Sequence, residues 1–359
     1  MNPDRLEALR ALLAQEGLDG VVVTKYVNLH YFSGFRGDDT TLVVTRDHAL
    51  LITDNRYTEQ AAQQAPLYEI VEQKGGLLKK TAECIGKLGC RQVGFEGNAM
   101  LYNDHAALAG MMPGVDFSKA LTLDALRAVK DAEEIGYIRK ACEIADEAFA
   151  DIVAFIRPGR TEIEVAARLE QVMRAAGAEK TSFDTIVASG LRGSMPHGTA
   201  TEKVIEAGDF VTMDYGAKYQ GYCSDITRTV CVGRATPRQR EVYEAVLGAQ
   251  EMVLGLIGPQ ASCQAIDAAS REYLARYGLA EYFGHGLGHS LGLEIHESPR
   301  LSRSCAPGDV LVPGNLITDE PGVYLPGWGG LRIEDTVLVT ETGSERLTKS
   351  DKSLRELGC

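Results

Sequence analysis

Apolar positions recur at helical spacing over residues 3–17, where Leu6, Leu9, Leu12 and Leu13 share one stripe and Gly17 and Gly20 end the element. The pattern then shortens. GVVVTKY, TTLVVT and ALLITD are apolar runs of strand length, the last two separated by the turn-like Arg46–His48. EQAAQQA and LLKKTAECIGKLG return to helical composition, and QVGFEG to a strand. Strands alternating with helices predict an α/β unit on a central sheet. Residues 121–130 lack a strong period, which places the boundary at 125 and divides the chain into domains 1–125 and 126–359. From Asp131 a long helix, DAEEIGYIRKACEIADEAFADIVAFIR, runs to a stop at Pro158 and Gly159, and Thr161 caps the next with acids in its first turn. The remainder is mostly strands and hairpins, with helices at about 238–256 and 262–277. Helices segregated from hairpins predict an α+β second domain.

Composition narrows the classes. A chain of 359 residues exceeds the usual size of one core, so two domains are expected. A formal charge of −13 argues against nucleic acid and anionic membranes as partners. No run of about eighteen apolar residues exists, and MNPDRLEALR carries acids without an apolar core, so neither a spanning helix nor a signal peptide is expected and the location is read as cytoplasmic. The eight cysteines (84, 90, 142, 223, 231, 263, 305 and 359) form no CxxC and no regular framework, as suits buried or free thiols in a reducing compartment. No Gly-rich loop follows the first strand with nucleotide-binding spacing.

Chemistry concentrates in the second domain. Gly208–Val232, GDFVTMDYGAKYQGYCSDITRTVCV, reads as a hairpin. Val211, Met213 and Tyr215 alternate with Thr212 and Asp214, and β-branched residues supply the far arm. A turn centred between Tyr219 and Gln220 would set Asp214 directly opposite Asp225. Like charges so placed need a proton, a cationic side chain or a metal between them. Four of the seven histidines, His197, His285, His289 and His296, also fall in this domain. His285 and His289 have the spacing of a zinc-protease helix, but Gly286 and Gly288 weaken a helix there, so a strand or loop is expected, with the two not both on one ion. In NLITDEPGVYLPGWGGLRIEDTVLV the first arm is expected to end at Glu320, before a Pro-Gly turn signal. In the second, Leu331, Ile333, Val337 and Val339 take one face, with Arg332, Glu334 and Thr336 on the other. Four carboxylates (Asp214, Asp225, Glu320, Glu334) and one imidazole (His289) suit Mn²⁺, Co²⁺, Fe²⁺ or Zn²⁺ in a two-metal site, which can activate water and polarise a carbonyl.

At these residues the sequence resembles the pita-bread metallopeptidases, the family of aminopeptidase P, prolidase and methionine aminopeptidase. MDYGAKYQGYCSDITRT is similar to the family's two-aspartate hairpin, and HGLGH, DEPGVY and LRIEDT follow in the family's order. The resemblance covers residues 130–345 strongly. It implies Asp214, Asp225, His289, Glu320 and Glu334 as ligands of two divalent ions, Mn²⁺ foremost, with Asp225 and Glu334 bridging. NLHYFSGFRG and LLITDNRYTEQA resemble the creatinase-like N-terminal domain of aminopeptidase P and prolidase, which methionine aminopeptidases lack.

The same resemblance implies His197 and His296 as non-ligand histidines near the substrate and His285 as a further pocket residue. Glu320 becomes the general base, and Arg332 would hold Glu334 and the histidines through charge-assisted bonds. The expected activity is hydrolysis of the bond between an N-terminal residue and proline. TDNRYTEQA points to an Xaa-Pro aminopeptidase, the leading reading. Arg300, on a turn after Pro299, could instead bind the carboxylate of a dipeptide and points to an Xaa-Pro dipeptidase. A non-catalytic peptide-binding member would be expected to have lost ligands, and a creatinase-type amidinohydrolase shares both domains but not the metal set. The resemblance further implies a homodimer, to which Arg56 and Glu59 of the N-terminal domain could contribute.

Overall fold

A computed structural model describes residues 2–358. The chain forms two compact units that divide between Arg127 and Ala128. In the first, a six-stranded mixed sheet has the order Glu69–Glu72, Ala49–Thr53, Thr41–Thr45, Gly20–Val23, Val93–Glu96, Ala120–Leu121. Leu6, Leu9 and Leu13 of helix Pro3–Glu16 are buried, as the stripe predicts, while Leu12 is half-exposed. Two helices have no counterpart in the periodicity. Tyr26–Ser33 has no side-chain cap and buries Asn28 and Ser33 among its apolar residues, so its inward face is not apolar in sequence. Tyr102–Met111 buries Leu108 alone. Arg56 is exposed and already paired with Asp39 and Asp54 of its own unit.

The second unit is organised by two long hairpins, each interrupted midway. In the first, Phe210–Tyr215 pairs with Ile226–Val232, and Ala217–Tyr219 with Tyr222–Cys223. Gln220 and Gly221 both have positive φ, 50° and 83°, as a two-residue hairpin turn requires. The turn is therefore one residue later than the sequence suggests. Asp214 faces Thr227 rather than Asp225, which corrects the predicted opposition. Moving the turn by one residue moves each cross-strand partner by two, and side chains alternate with period two. The two aspartates thus keep a common face as diagonal neighbours. At the interruption, a Cβ on Gly216 would lie 1.9 Å from the Ser224 carbonyl oxygen, so only glycine allows the strands to close there.

The second hairpin pairs Leu316–Asp319 with Asp335–Val339, and Gly322–Leu325 with Gly329–Arg332. Its tip is at residues 326–328, where Gly327 has φ 76°. Pro321-Gly322 is not the turn, contrary to expectation, and Leu331–Val339 is two strands in two sheets rather than one. Pro321 has no N–H for a ladder, so the sheet breaks there instead of reversing. Glu320 and Glu334 sit in the two breaks, just as Asp225 sits in the break of the first hairpin.

A third element, Gly288–Ser290, pairs with Glu297–Leu301 and with Ile317 of the second hairpin. It sets Arg300 opposite His289, so Arg300 lies in a strand and not on the expected turn. Each long hairpin is packed by its own pair of helices. Ala132–Phe155 and Glu162–Ala175 meet the first through Ile144, Phe149, Leu169, Val211 and Ile226. Pro237–Leu254 and Cys263–Ala275 meet the second through Val242, Val246, Ile266, Ile317 and Val337. Each such side chain fully buried contributes about 1.5–3 kcal/mol, which offsets the cost of the charged groups gathered nearby. Capping boxes at Asp131, Thr161 and Thr236 fix where three of these helices begin. Among the described residues, no helix is long and apolar enough to cross a membrane. Cys84, Cys90, Cys142, Cys223, Cys231 and Cys263 are buried and unbridged, Cys305 is half-buried and unbridged, and Cys359 lies outside the described residues.

Candidate metal centre

All ten residues singled out by sequence line one cleft of about 550 Å³ in the second unit. On its floor Asp214, Asp225 and Glu334 each offer a carboxylate oxygen within 4.8 Å of the others. His289 Nε2 lies 3.4 Å from Glu320 Oε1 and 3.7 Å from Asp225 Oδ2. The interrupted hairpins explain this convergence. A carboxylate at a ladder break can turn away from the sheet normal, so acids from two hairpins meet at one point.

The cluster is electrostatically incomplete. Asp214 Oδ1 and Asp225 Oδ1 are buried with no hydrogen-bond partner, an unfavourable arrangement for polar atoms of this type. Burial, and then the charge of Glu334, pushes the Asp225 carboxyl well above the usual carboxylate range. Burial and the neighbouring Glu320 do the same to Glu334, and burial raises Glu320 to about 8. His289 is held neutral, its pKa lowered to about 3 by burial and by His296. Its Nδ1 lies 3.1 Å from the Ser290 carbonyl, which can only accept, so the proton is on Nδ1 and the Nε2 lone pair faces the carboxylates. Oxygen-rich donors, an imidazole presented in its ligating tautomer and two orphaned carboxylate oxygens fit divalent cations.

Around this floor Arg332 is the organising cation. It is nearly fully buried and donates to Asp214 Oδ2 at 2.5 Å, Tyr324 Oη at 2.6 Å and Thr227 Oγ1 at 3.1 Å. Contrary to the expectation from sequence, it does not bond Glu334 directly. Thr227 stands between them and donates to Glu334 Oε2 at 2.6 Å. The Tyr324 hydroxyl in turn lies 2.8 Å from His285 Nε2, while His285 Nδ1 is 2.8 Å from the Gly286 carbonyl. Burial and the Arg332 charge lower His285 to about 4. Thr318 links the last two ligands, accepting from the His289 N–H at 3.1 Å and donating to Glu320 Oε1 at 3.2 Å.

Thr227, Tyr324 and Thr318 are absent from the sequence reading. The signal for two of them is alternation: Thr227 shares the face of Asp225, and Tyr324 lies an even number of residues beyond Glu320. At the mouth, His197, His296 and Arg300 are exposed. The His296 ring stacks edge-on against His289, with centroids 4.4 Å apart. Among the described residues Arg300 has no carboxylate partner.

These shifts set a stability prediction for the metal-free protein. A carboxyl raised from 4.5 to about 8, as at Glu320, contributes stability that is complete below the unfolded value and lost as pH rises through the folded one. His289 and His285, lowered from 6.5 to about 3 and about 4, act in the opposite sense, but only below 6.5. Between pH 6.5 and 8 the carboxyls alone operate. Protein held in chelator is expected to melt at a lower temperature at pH 8 than at pH 6.5, and divalent ions should remove the difference. Calorimetry over that window checks it; a metal-free melting temperature that rises with pH would contradict it.

Comparison with known proteins gives one family over both units. The family model for metallopeptidase family M24 matches residues 136–341, and that for the creatinase/prolidase N-terminal domain matches residues 5–129. An Xaa-Pro dipeptidase of Pyrococcus furiosus is 41% identical over 98% of this chain and 99% of its own. The structure of an Xaa-Pro dipeptidase from Bacillus anthracis is similar at a TM-score of 0.94 and 44% identity, covering 99% of both chains. That of an X-Pro aminopeptidase from Thermotoga maritima follows at 0.91 and 37%, covering 98% of this chain and 99% of that one.

Proposed function

Because this chain belongs to metallopeptidase family M24, with a creatinase/prolidase N-terminal domain ahead of a pita-bread catalytic domain, we propose that it is a two-metal Xaa-Pro dipeptidase. The observation that carries the dipeptide reading is Arg300, a cation at the cleft mouth without a carboxylate partner, opposite His289 in the ladder. Two curated relatives and two solved structures named as Xaa-Pro dipeptidases or prolidases support the same choice over the aminopeptidase reading that leads from sequence, against one similar structure named as an X-Pro aminopeptidase.

In this reading Asp214, Asp225, His289, Glu320 and Glu334 hold two divalent ions, Mn²⁺ foremost. Bound there, such ions would supply Lewis-acid polarisation of the scissile carbonyl and lower the pKa of water. The protein's own groups do the rest. Glu320 accepts the proton of the attacking water as it adds to the carbonyl carbon. Proline leaves through a tertiary amide nitrogen, which has no hydrogen and must gain one as the C–N bond breaks. His197 and His296, at the mouth, are placed to donate to the developing oxyanion or to that nitrogen. Thr227, Arg332 and Tyr324 orient the acids and His285. Arg300 holds the dipeptide's carboxylate through its planar fork, which Lys would not reproduce.

A bond from Arg300 to a free carboxylate contributes on the order of 1.5–3 kcal/mol. Arg300→Ala is expected to lower kcat/KM for Xaa-Pro by tenfold or more on that estimate, and to change hydrolysis of Xaa-Pro-Xaa much less. Parallel assays of both peptides with added Mn²⁺, Co²⁺ or Zn²⁺ test the reading. Equal losses on the two would make Arg300 structural and return the assignment to an aminopeptidase. The enzyme is further proposed to act in the cytoplasm as a homodimer; sedimentation at micromolar concentration showing only monomer would contradict the dimer.

A further inference from the structure

Behind the metal floor lies a second pair of acids. Asp319 faces Asp335 directly across the second hairpin. Each precedes or follows one of the floor glutamates, so alternation sends Glu320 and Glu334 into the cleft and Asp319 and Asp335 to the rear. The rear acids are fully buried, and like charges opposed across a ladder push strands apart.

What holds them is a clamp from elsewhere in the chain. Gln250 Nε2, on helix Pro237–Leu254, lies 3.1 Å from Asp319 Oδ2 and 3.1 Å from Asp335 Oδ2, bridging the two strands with one amide. Lys352 Nζ donates to Gln250 Oε1 at 2.5 Å and pairs with Asp335 Oδ2 at 3.0 Å. Asp335 Oδ1 takes Arg228 Nη2 at 2.7 Å and Thr348 Oγ1 at 2.8 Å. Arg228 also donates to the Glu334 carbonyl. The strand ends that carry Glu320 and Glu334 are therefore tied through Gln250 to a helix, and through Lys352 to the C-terminal segment. Neither residue lines the cleft.

We infer that Gln250 and Lys352 are positioning residues for the metal centre, setting the separation of Glu320 and Glu334 from behind. The inference rests on the two-metal reading above. A purely structural network would support folding alone and leave ion affinity untouched. A positioning network must change both. Loss of a group that orients a ligand typically costs tenfold to a hundredfold in metal affinity.

The test is titration of chelator-treated protein with Mn²⁺ by calorimetry, with melting temperature and kinetics in parallel. Gln250→Met keeps the volume and removes the bridging amide. It is expected to weaken at least one Mn²⁺ site by about tenfold or more and to lower kcat, with KM for Xaa-Pro little changed. Val246→Ala, a cavity in the same helix, should lower the melting temperature without moving either Mn²⁺ affinity. Lys352→Met should weaken Mn²⁺ binding, and Lys352→Arg should restore most of it. If Gln250→Met only destabilises, as Val246→Ala does, the inference is overturned. Should Gln250→Met not fold, the Lys352 pair decides, and equal affinities in the two variants overturn it. Wild-type protein that binds fewer than two Mn²⁺ would sink the two-metal reading itself. Two ions in wild type and undiminished affinity in the variants would sink only the positioning role.

Discussion

Asp225→Asn is expected to abolish peptide hydrolysis while making the metal-free protein more stable, an opposition of sign that few other substitutions should produce. Asp225 occupies the break of the first hairpin, its side chain 6% exposed, with Oδ1 unpartnered and His289 Nε2 3.7 Å from Oδ2. Without cations its charge is opposed by burial and by Glu334, Asp214 and Glu320. A neutral amide of the same shape relieves that opposition, so at pH 8 chelated Asp225→Asn should melt above chelated wild type. With Mn²⁺ added the order should reverse, because wild type gains binding energy that the variant loses. Loss of preorganised charge at a reacting centre is felt on the scale of about 10²–10³-fold or more, and loss of an ion as well places kcat/KM at or beyond the upper end. Melting curves with and without Mn²⁺, beside Xaa-Pro turnover, check both halves. Full activity in the variant would end the assignment of Asp225 as a ligand.

Glu320→Gln should separate chemistry from assembly. Glu320 has three contacts of different kinds: Oε1 lies 3.4 Å from His289 Nε2 and accepts from Thr318 Oγ1 at 3.2 Å, and Oε2 lies 4.0 Å from Arg332 Nε. The amide keeps an acceptor oxygen that can face a cation but cannot take a proton from water. Losing a general base typically costs about 10²–10⁴ in kcat. The expected result is a fall in kcat within that range, KM for Xaa-Pro close to wild type and at least one Mn²⁺ retained. Unchanged kcat at saturating Mn²⁺ would remove Glu320 from the proton-transfer role.

The sequence carried the site better than the backbone around it. Every candidate residue reaches the cleft because the type of side chain and the two-residue period survive errors of register. The hairpin turn lies one residue beyond the position that the sequence suggests, and Asp214 and Asp225 still share a face, since the shift in partners is even. Pro321-Gly322 has the composition of a turn, but a proline also ends a ladder without reversing the chain, and nothing local distinguishes the two outcomes. The distinction lies in the pairing of Gly322–Leu325 with Gly329–Arg332, a non-local fact. Arg300 follows a proline and so suggests a turn for a similar reason, whereas pairing with His289 holds it in a strand. Alternation puts Thr227 and Tyr324 on the faces of Asp225 and Glu320, but the roles of Gln250 and Lys352 depend on which helix and which segment meet the second hairpin, so composition and spacing do not show them. Helix Tyr26–Ser33 has no apolar stripe in sequence because its buried face includes Asn28 and Ser33.

The number of ions that the five side chains hold decides most directly whether this is a two-metal enzyme. Chelated protein titrated with Mn²⁺, with bound metal counted and Xaa-Pro hydrolysis measured at each step, should bind two ions per chain and reach full activity only as both sites fill. One ion per chain with full activity, or full activity with none, would contradict it.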